Sequence, residues 1–233
     1  DYQNGWATNP LGNAHPEIIE AVHKAQLRYG FHYDHPLRYE LAANITQITP
    51  NQALSRFTYE VSGTEAAESA FYMAMCYKKR RHVITFSSSF HGNSIGTKVF
   101  GGLNSRKYME GWGGGAIVAP YPHSDFIPAG MSEKQYTDYC LHYLEHHIPD
   151  YIAAKDNIAA IMVEPGLAEG GNWIPTKEFL QGIRNICDRN DWLMIVDEVR
   201  TGLGRTAKMW AVEHYDVTPD ILVIGKNLSG GIE

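Results

Sequence analysis

Residues 191–231 read DWLMIVDEVRTGLGRTAKMWAVEHYDVTPDILVIGKNLSGG, and the two halves of this stretch repeat one pattern. Residues 192–196 form an unbroken apolar run, which suits a strand buried on both faces of a parallel sheet. Asp197 and Glu198 end it abruptly. Pro219 and Asp220 lead into a second short apolar run at 221–224, and Gly225-Lys226 follow at its carboxyl end. Ligands of open α/β sheets sit outside the carboxyl ends of the strands, so a carboxylate and an amine there are placed to meet a bound molecule. Two blander readings compete. Residues 202–207, GLGRTA, fit the loose dinucleotide pattern G-x-G-x-x-A, but three charged residues separate them from the apolar run and no clean apolar helix face follows. Lys226 could be a surface lysine, against which stands its place after a buried strand and before a glycine pair.

One chemistry needs such a pair: a carboxylate to hold a pyridinium proton and a lysine amine to form a Schiff base with a cofactor aldehyde, pyridoxal 5′-phosphate (PLP). DEVRTGLGRT from Asp197, PDILVIGK ending at Lys226, and Gly230-Gly231 closely resemble the signature of the class III aminotransferases, PLP enzymes of fold type I. The resemblance implies an α/β three-layer sandwich with a mainly parallel sheet, in which Lys226 and Asp197 are the catalytic residues. It also places Val199 on one face of the cofactor ring. The implied reaction moves an amino group from a primary amine or omega-amino acid to an oxo acid of the pyruvate or 2-oxoglutarate kind. Two departures stand out. Arg200 occupies the place of a usual glutamine that contacts the phenolic oxygen, and Ala207 that of a usual glycine. Arginine can still donate to that oxygen, and its charge favours the phenolate.

Working outward, residues 56–61, RFTYEV, alternate as a strand and run into SGTEAAE at 62–68, after which a helix is expected through Ala74. Ser62, Gly63 and Thr64 thus make a strand-turn-helix anion site, where free N–H groups and the helix dipole both favour phosphate. The simpler role, an N-cap, is compatible with it. The string matches the family's phosphate-binding turn. A strand at 82–86 precedes Phe90-His91-Gly92, and resemblance puts Phe90 against the ring face opposite Val199, with His91 beside it. The apolar run 158–163 ends in Glu164-Pro165, and Glu169 lies in the turn beyond; family members keep both acids, and the match to Glu169 pairs with an arginine supplied from beyond residue 233. Trp6 matches a substrate-facing aromatic. The loop 31–36, FHYDHP, lies near the substrate in the family.

Helices are also expected at 16–29, 37–48 and 132–154, the last opened by a capping-box pattern at Ser132 and Gln135. The glycine-rich stretch 101–115 reads as an irregular loop leading to a strand at 116–119. Residues 1–48 read as a helical segment leading to the active-site mouth and 49–233 as the PLP-binding large domain, and the family's chains continue into a small C-terminal domain. With 20 basic against 26 acidic residues, the formal charge of −6 carries no phosphate-backbone footprint, and the cluster at 78–81, KKRR, sits where it would cap a helix end. Cys76, Cys140 and Cys187 suggest neither a disulfide framework nor a CxxC metal site, which fits a reducing cytoplasm. No apolar run is long enough to span a bilayer. His142, Glu145 and His146 formally match the H-x-x-E-H pattern of some zinc hydrolases, with no third ligand identifiable. Decarboxylation, racemisation, aminomutation and an inactive relic remain open on the same lysine and aspartate. Resemblance further implies a homodimer with active sites at the subunit interface.

Overall fold

The structure, a computed structural model, describes residues 4–29, 34–103, 108–109 and 114–231. Asn4–Ala7 form a left-handed turn rather than a helix, with Gly5 and Trp6 at φ +57° and +58°. Helices α1 (Pro16–Tyr29) and α2 (Pro36–Ile48) follow, each opened by a proline whose missing N–H costs nothing in the first turn. Helix α3 (Gly63–Lys78) begins where Ser62 Oγ accepts the Glu65 N–H at 3.2 Å, and it stops at Lys79 in the left-handed region. Strand β1 (His82–Phe86), α4 (Ile95–Phe100) and β2 (Ala116–Ala119) come next. The capping box is realised in α5 (Glu133–His142): Ser132 N–H donates to Gln135 Oε1 at 2.8 Å and Gln135 N–H to Ser132 Oγ at 3.3 Å. The helical path continues through a π-turn (Tyr143–His147) into α6 (Ile148–Tyr151). Strand β3 (Ile158–Val163), helix α7 (Lys177–Asn190), β4 (Leu193–Asp197) and β5 (Ile221–Val223) complete it.

The five strands form one all-parallel sheet in the order β2-β1-β3-β4-β5. Alternate side chains feed two cores. Ile161, Val163, Met194 and Val196 pack with α5 and α7, while Ala160, Met162 and Ile195 pack with Ala67, Ala70, Phe71 and Ala74 of α3. Helices therefore cover both faces, as the expected three-layer α/β sandwich requires. Strand β3 is buried at every position, and hence reads as a continuous rather than alternating apolar run.

One expectation needs correction, and two features exceed what the local pattern suggests. Residues 56–61 form no strand although they alternate, because a strand exists only by pairing and none of the five exchanges ladder bonds with them; Val61 is 93% exposed. Helix α7 is not among the helices expected above, although Phe179, Leu180, Ile183, Ile186 and Cys187 bury one helical face. The basic cluster does more than solvate a helix end. Lys78 Nζ and Arg80 Nη2 grip Asp191 at 2.6 and 3.1 Å, and Arg80 Nη1 reaches the carbonyls of Asp191 and Ile158, knitting α3 to the turn before β4. Among the described residues no helix is long and apolar enough to cross a membrane. All three cysteines are free thiols.

Candidate active site

The strand order reverses between β1 and β3, and crevices at such points, beyond the carboxyl ends, are where open α/β sheets take ligands. The segments that leave β1, β3, β4 and β5 there carry His91, Glu164, Asp197 and Lys226. Asp197 Oδ2 accepts His91 Nδ1 at 2.8 Å, and its Oδ1 takes the Val199 N–H at 3.0 Å. Both side chains are buried. Burial works against a charged His91, yet the bond to Asp197 and the fields of Asp197 and Glu164 outweigh it and raise its pKa. Its Nε2 is buried and has no hydrogen-bond partner among the described residues.

Glu164 ties neighbouring loops together. Its Oε1 accepts the Phe90 N–H at 2.8 Å and its Oε2 the Ala168 N–H at 3.0 Å. Burial raises its pKa, with Asp197 adding to the shift and His91 and the two N–H groups opposing it. Its oxygens therefore hold the Phe90-His91 turn, and Phe90 itself is half-buried. Glu198, the neighbour of Asp197, is buried too but faces elsewhere. It accepts the N–H groups of Ala211 and Val212 at 2.9 and 2.7 Å and the Thr201 hydroxyl at 2.7 Å, so it caps the short helix Ala211–Tyr215.

The turn before α3 closes on this edge. A Cβ on Gly63 would lie 2.8 Å from Val199 Cγ1, and one on Gly225 would lie 3.7 Å from Gly63 Cα, so the helix N-terminus abuts both Val199 and the residue preceding the lysine. Gly92, at φ +136°, packs just as closely, with Thr64 Oγ1 2.6 Å from where its Cβ would stand. The chain thus brings Ser62, Gly63, Thr64, Phe90, His91, Val199 and Lys226 to one place. Lys226 is half-buried at φ +42°. Burial, then the charge of Arg200, lowers its pKa; Glu169 and Asp197 pull the other way and Arg205 adds to the lowering. Arg200 and Glu169 therefore lie close enough for their charges to reach the amine.

Trp6 is 69% exposed, on a turn whose Ala7 carbonyl accepts Arg205 Nη2 at 2.6 Å. Arg205 also donates to Asn227 Oδ1, and Asn227 Nδ2 to the Gly202 carbonyl at 3.2 Å. Nothing local in the motif singles out Arg205, because its partners lie far away in the chain. Residues 31–33 of the FHYDHP loop lie outside the described residues, as does part of the glycine-rich stretch; the Tyr29 and His35 rings stack at 5.2 Å.

Both competing chemistries fail on geometry. After β4 the chain enters turns and the short helix Ala211–Tyr215, and no α-helix opens at the glycines 202–204 as a dinucleotide site requires. For zinc, Glu145 is held by Arg189 Nε at 2.8 Å, and among the described residues no group of three or more His, Cys, Asp or Glu could hold a metal ion. The recess lined by Tyr139, His142, Tyr143, His146, His147, Asp150 and Tyr151 shares no residue with the Lys226 site.

A lysine whose charge is disfavoured, beside a buried carboxylate at the carboxyl ends of parallel strands, fits the class of α/β proteins that use an amine in carbonyl chemistry. Comparison with known proteins narrows the class. Residues 1–233 match the family described as Aminotransferase class-III, and the chain belongs to that family. It is 32% identical to a probable 4-aminobutyrate aminotransferase of Bacillus subtilis, covering 100% of this chain and 54% of that protein. It is 34% identical to an acetylornithine aminotransferase of Agrobacterium fabrum, covering 99% and 54%. Among solved structures, an amine transaminase from an uncultivated Pseudomonas species, in its PLP-bound form, superposes with a TM-score of 0.90 at 26% identity, covering 98% of this chain and 54% of its own. A taurine:2-oxoglutarate aminotransferase from Bifidobacterium kashiwanohense, in complex with PLP and glutamate, gives 0.89 at 27%, with 97% and 52% covered. The chain spans about half the length of the curated relatives it matches.

Proposed function

We propose that this chain forms the PLP-binding large domain, residues 49–233, and the helical approach to the site, residues 1–48, of an aminotransferase that takes its amino group from a primary amine or omega-amino acid and passes it to an oxo acid. The observation that carries the reading is the pair at the ends of β4 and β5: a buried, histidine-anchored Asp197, and a Lys226 whose surroundings favour the neutral, nucleophilic amine.

The residues fit the cofactor. Ser62, Gly63 and Thr64 offer the N-terminus of a sixteen-residue helix to its phosphate. Phe90 and Val199 supply apolar groups for the two ring faces. Asp197 would hold the proton of the ring nitrogen, and its partner His91, itself met edge-on by Phe71 at 6.1 Å, orients that carboxylate. When bound, PLP supplies an aldehyde carbon that takes amines and a ring that takes up the electron pair of a broken C–H bond. Lys226 Nζ, whose charge its surroundings disfavour, accepts the proton from the substrate carbon and returns it, as base and then acid. Arg200 would donate to the phenolic oxygen. Trp6 and Glu169, both exposed, would select the amine at the mouth.

Exposed apolar residues on the N-terminal segment, Leu11, Ile19 and Leu27 among them, and the lack of any buried residue in α1, support a homodimeric whole protein. Its free cysteines suit a reducing cytoplasm. The function is tested by visible spectroscopy. Added PLP is expected to give a new long-wavelength band that an amine donor such as alanine or 1-phenylethylamine bleaches and an oxo acid restores. A band that never forms, or that ignores every amine offered, contradicts aminotransfer.

A further inference from the structure

We propose that Arg205 is a positioning residue that fastens the turn carrying Trp6 to the turn carrying Lys226, so that the substrate-facing aromatic and the nucleophile are held as one unit. The inference rests on the reading of Lys226 given above. Arg205 Nη2 donates to the carbonyl of Ala7, the residue after Trp6, at 2.6 Å, and to the side-chain oxygen of Asn227, the residue after Lys226. Asn227 returns the contact by donating through Nδ2 to the carbonyls of Gly202 and Leu203 at 3.2 and 3.5 Å. Three segments remote in sequence are thus locked by two side chains.

Both turns need such a lock. Trp6, Ala7 and Lys226 stand at φ +58°, +66° and +42°, a region that L residues enter only when their surroundings impose it. Packing reinforces the link: Asn9 leaves no room for a Cβ at Gly231, and Ile18 leaves none at Gly230, so the N-terminal segment lies directly on the chain that follows the lysine. The planar guanidinium suits two oxygen acceptors held at once, which a point-like ammonium matches poorly. Its positive charge also adds to the lowering of the Lys226 pKa, in keeping with a place beside the amine.

The test compares wild type, Arg205→Met and Asn227→Leu on the full chain, by hydrogen exchange and by kinetics. Exchange needs no cofactor. Peptides over residues 4–9 and 226–231 are expected to exchange at least about tenfold faster in either variant, while residues 158–163 keep wild-type protection. In turnover, KM for the amine is expected to rise about tenfold or more with kcat changed by less than about threefold, because the amine pocket loosens more than the proton transfer does. The double variant should be no worse than either single one, since both break the same lock. Unchanged exchange in the two turns overturns the proposal, as does a loss confined to kcat in step with the folded fraction. If Arg205→Met does not fold, Asn227→Leu, which keeps the guanidinium, decides the matter alone. A wild-type Lys226 that forms no PLP adduct removes the functional reading, whereas the exchange comparison still decides on the lock.

Discussion

Asp197 and Glu198 are neighbours with opposite employment. Asp197 ends β4 pointing at His91, and Glu198 turns back to gather two N–H groups and a hydroxyl. Both acids are visible at the end of an apolar run in the sequence. Which of them faces the crevice follows from the fold-back of residues 211–212, a long-range event that the run itself does not encode. Glu198→Ala leaves three donors without an acceptor in a buried place and is expected to cost about 2–4 kcal/mol, read as a lower urea midpoint at unchanged slope. The buried cluster of His91 and Glu164 also makes stability depend on pH. Both groups have raised pKa values, so both hold protons in the folded protein at a pH where the unfolded chain has released them. Their contribution is complete below the unfolded pKa values and is lost as pH rises through the folded ones. Wild type should therefore lose stability relative to Glu164→Gln as pH rises from about 5 to about 8. A difference that stays flat across that range contradicts the assignment. Arg200→Gln removes a positive neighbour of Lys226 and should raise the amine's pKa, slowing its acylation at about pH 8 in pH-resolved competitive labelling. An unchanged labelling profile places Arg200 out of reach.

Elements were legible where the local pattern is self-sufficient. The fully apolar runs became β3 and β4, and the Ser132 capping box closed as its spacing requires. The alternation at 56–61 misled because pairing is not a local property. The segment approaches β5 at both its flanks, through Asn51 Nδ2 on Thr218 Oγ1 at 2.6 Å and through Gly63 beside Gly225, yet exchanges no ladder bonds with it. Val61→Asp should accordingly change stability by no more than about 0.5 kcal/mol. The turn that follows is the reverse case. Gly63→Ala forces a methyl into Val199, and is expected to cost about 1–3 kcal/mol and to weaken binding of inorganic phosphate at the α3 N-terminus, followed by thermal shift. Wild-type phosphate response in Gly63→Ala would remove the anion role from this turn.

At the scale of the whole molecule, the parallel sheet converges four strand ends on one crevice, and α3 and the N-terminal turn close on it from outside the sheet. That convergence is what the two short motifs around Asp197 and Lys226 foretold and what single residues could not. The parts drawn from remote sequence, Arg205 on Ala7 and Glu164 on Phe90, have no local signature, since a hydrogen bond between distant segments leaves no spacing to read. The central claim is that the amine at position 226 is the group that meets the PLP aldehyde. Borohydride reduction of the PLP-saturated, folded protein, followed by peptide mapping, should place one phosphopyridoxyl group on Lys226 and none there in Lys226→Ala. Label that spreads over exposed lysines and leaves Lys226 unmodified would contradict it.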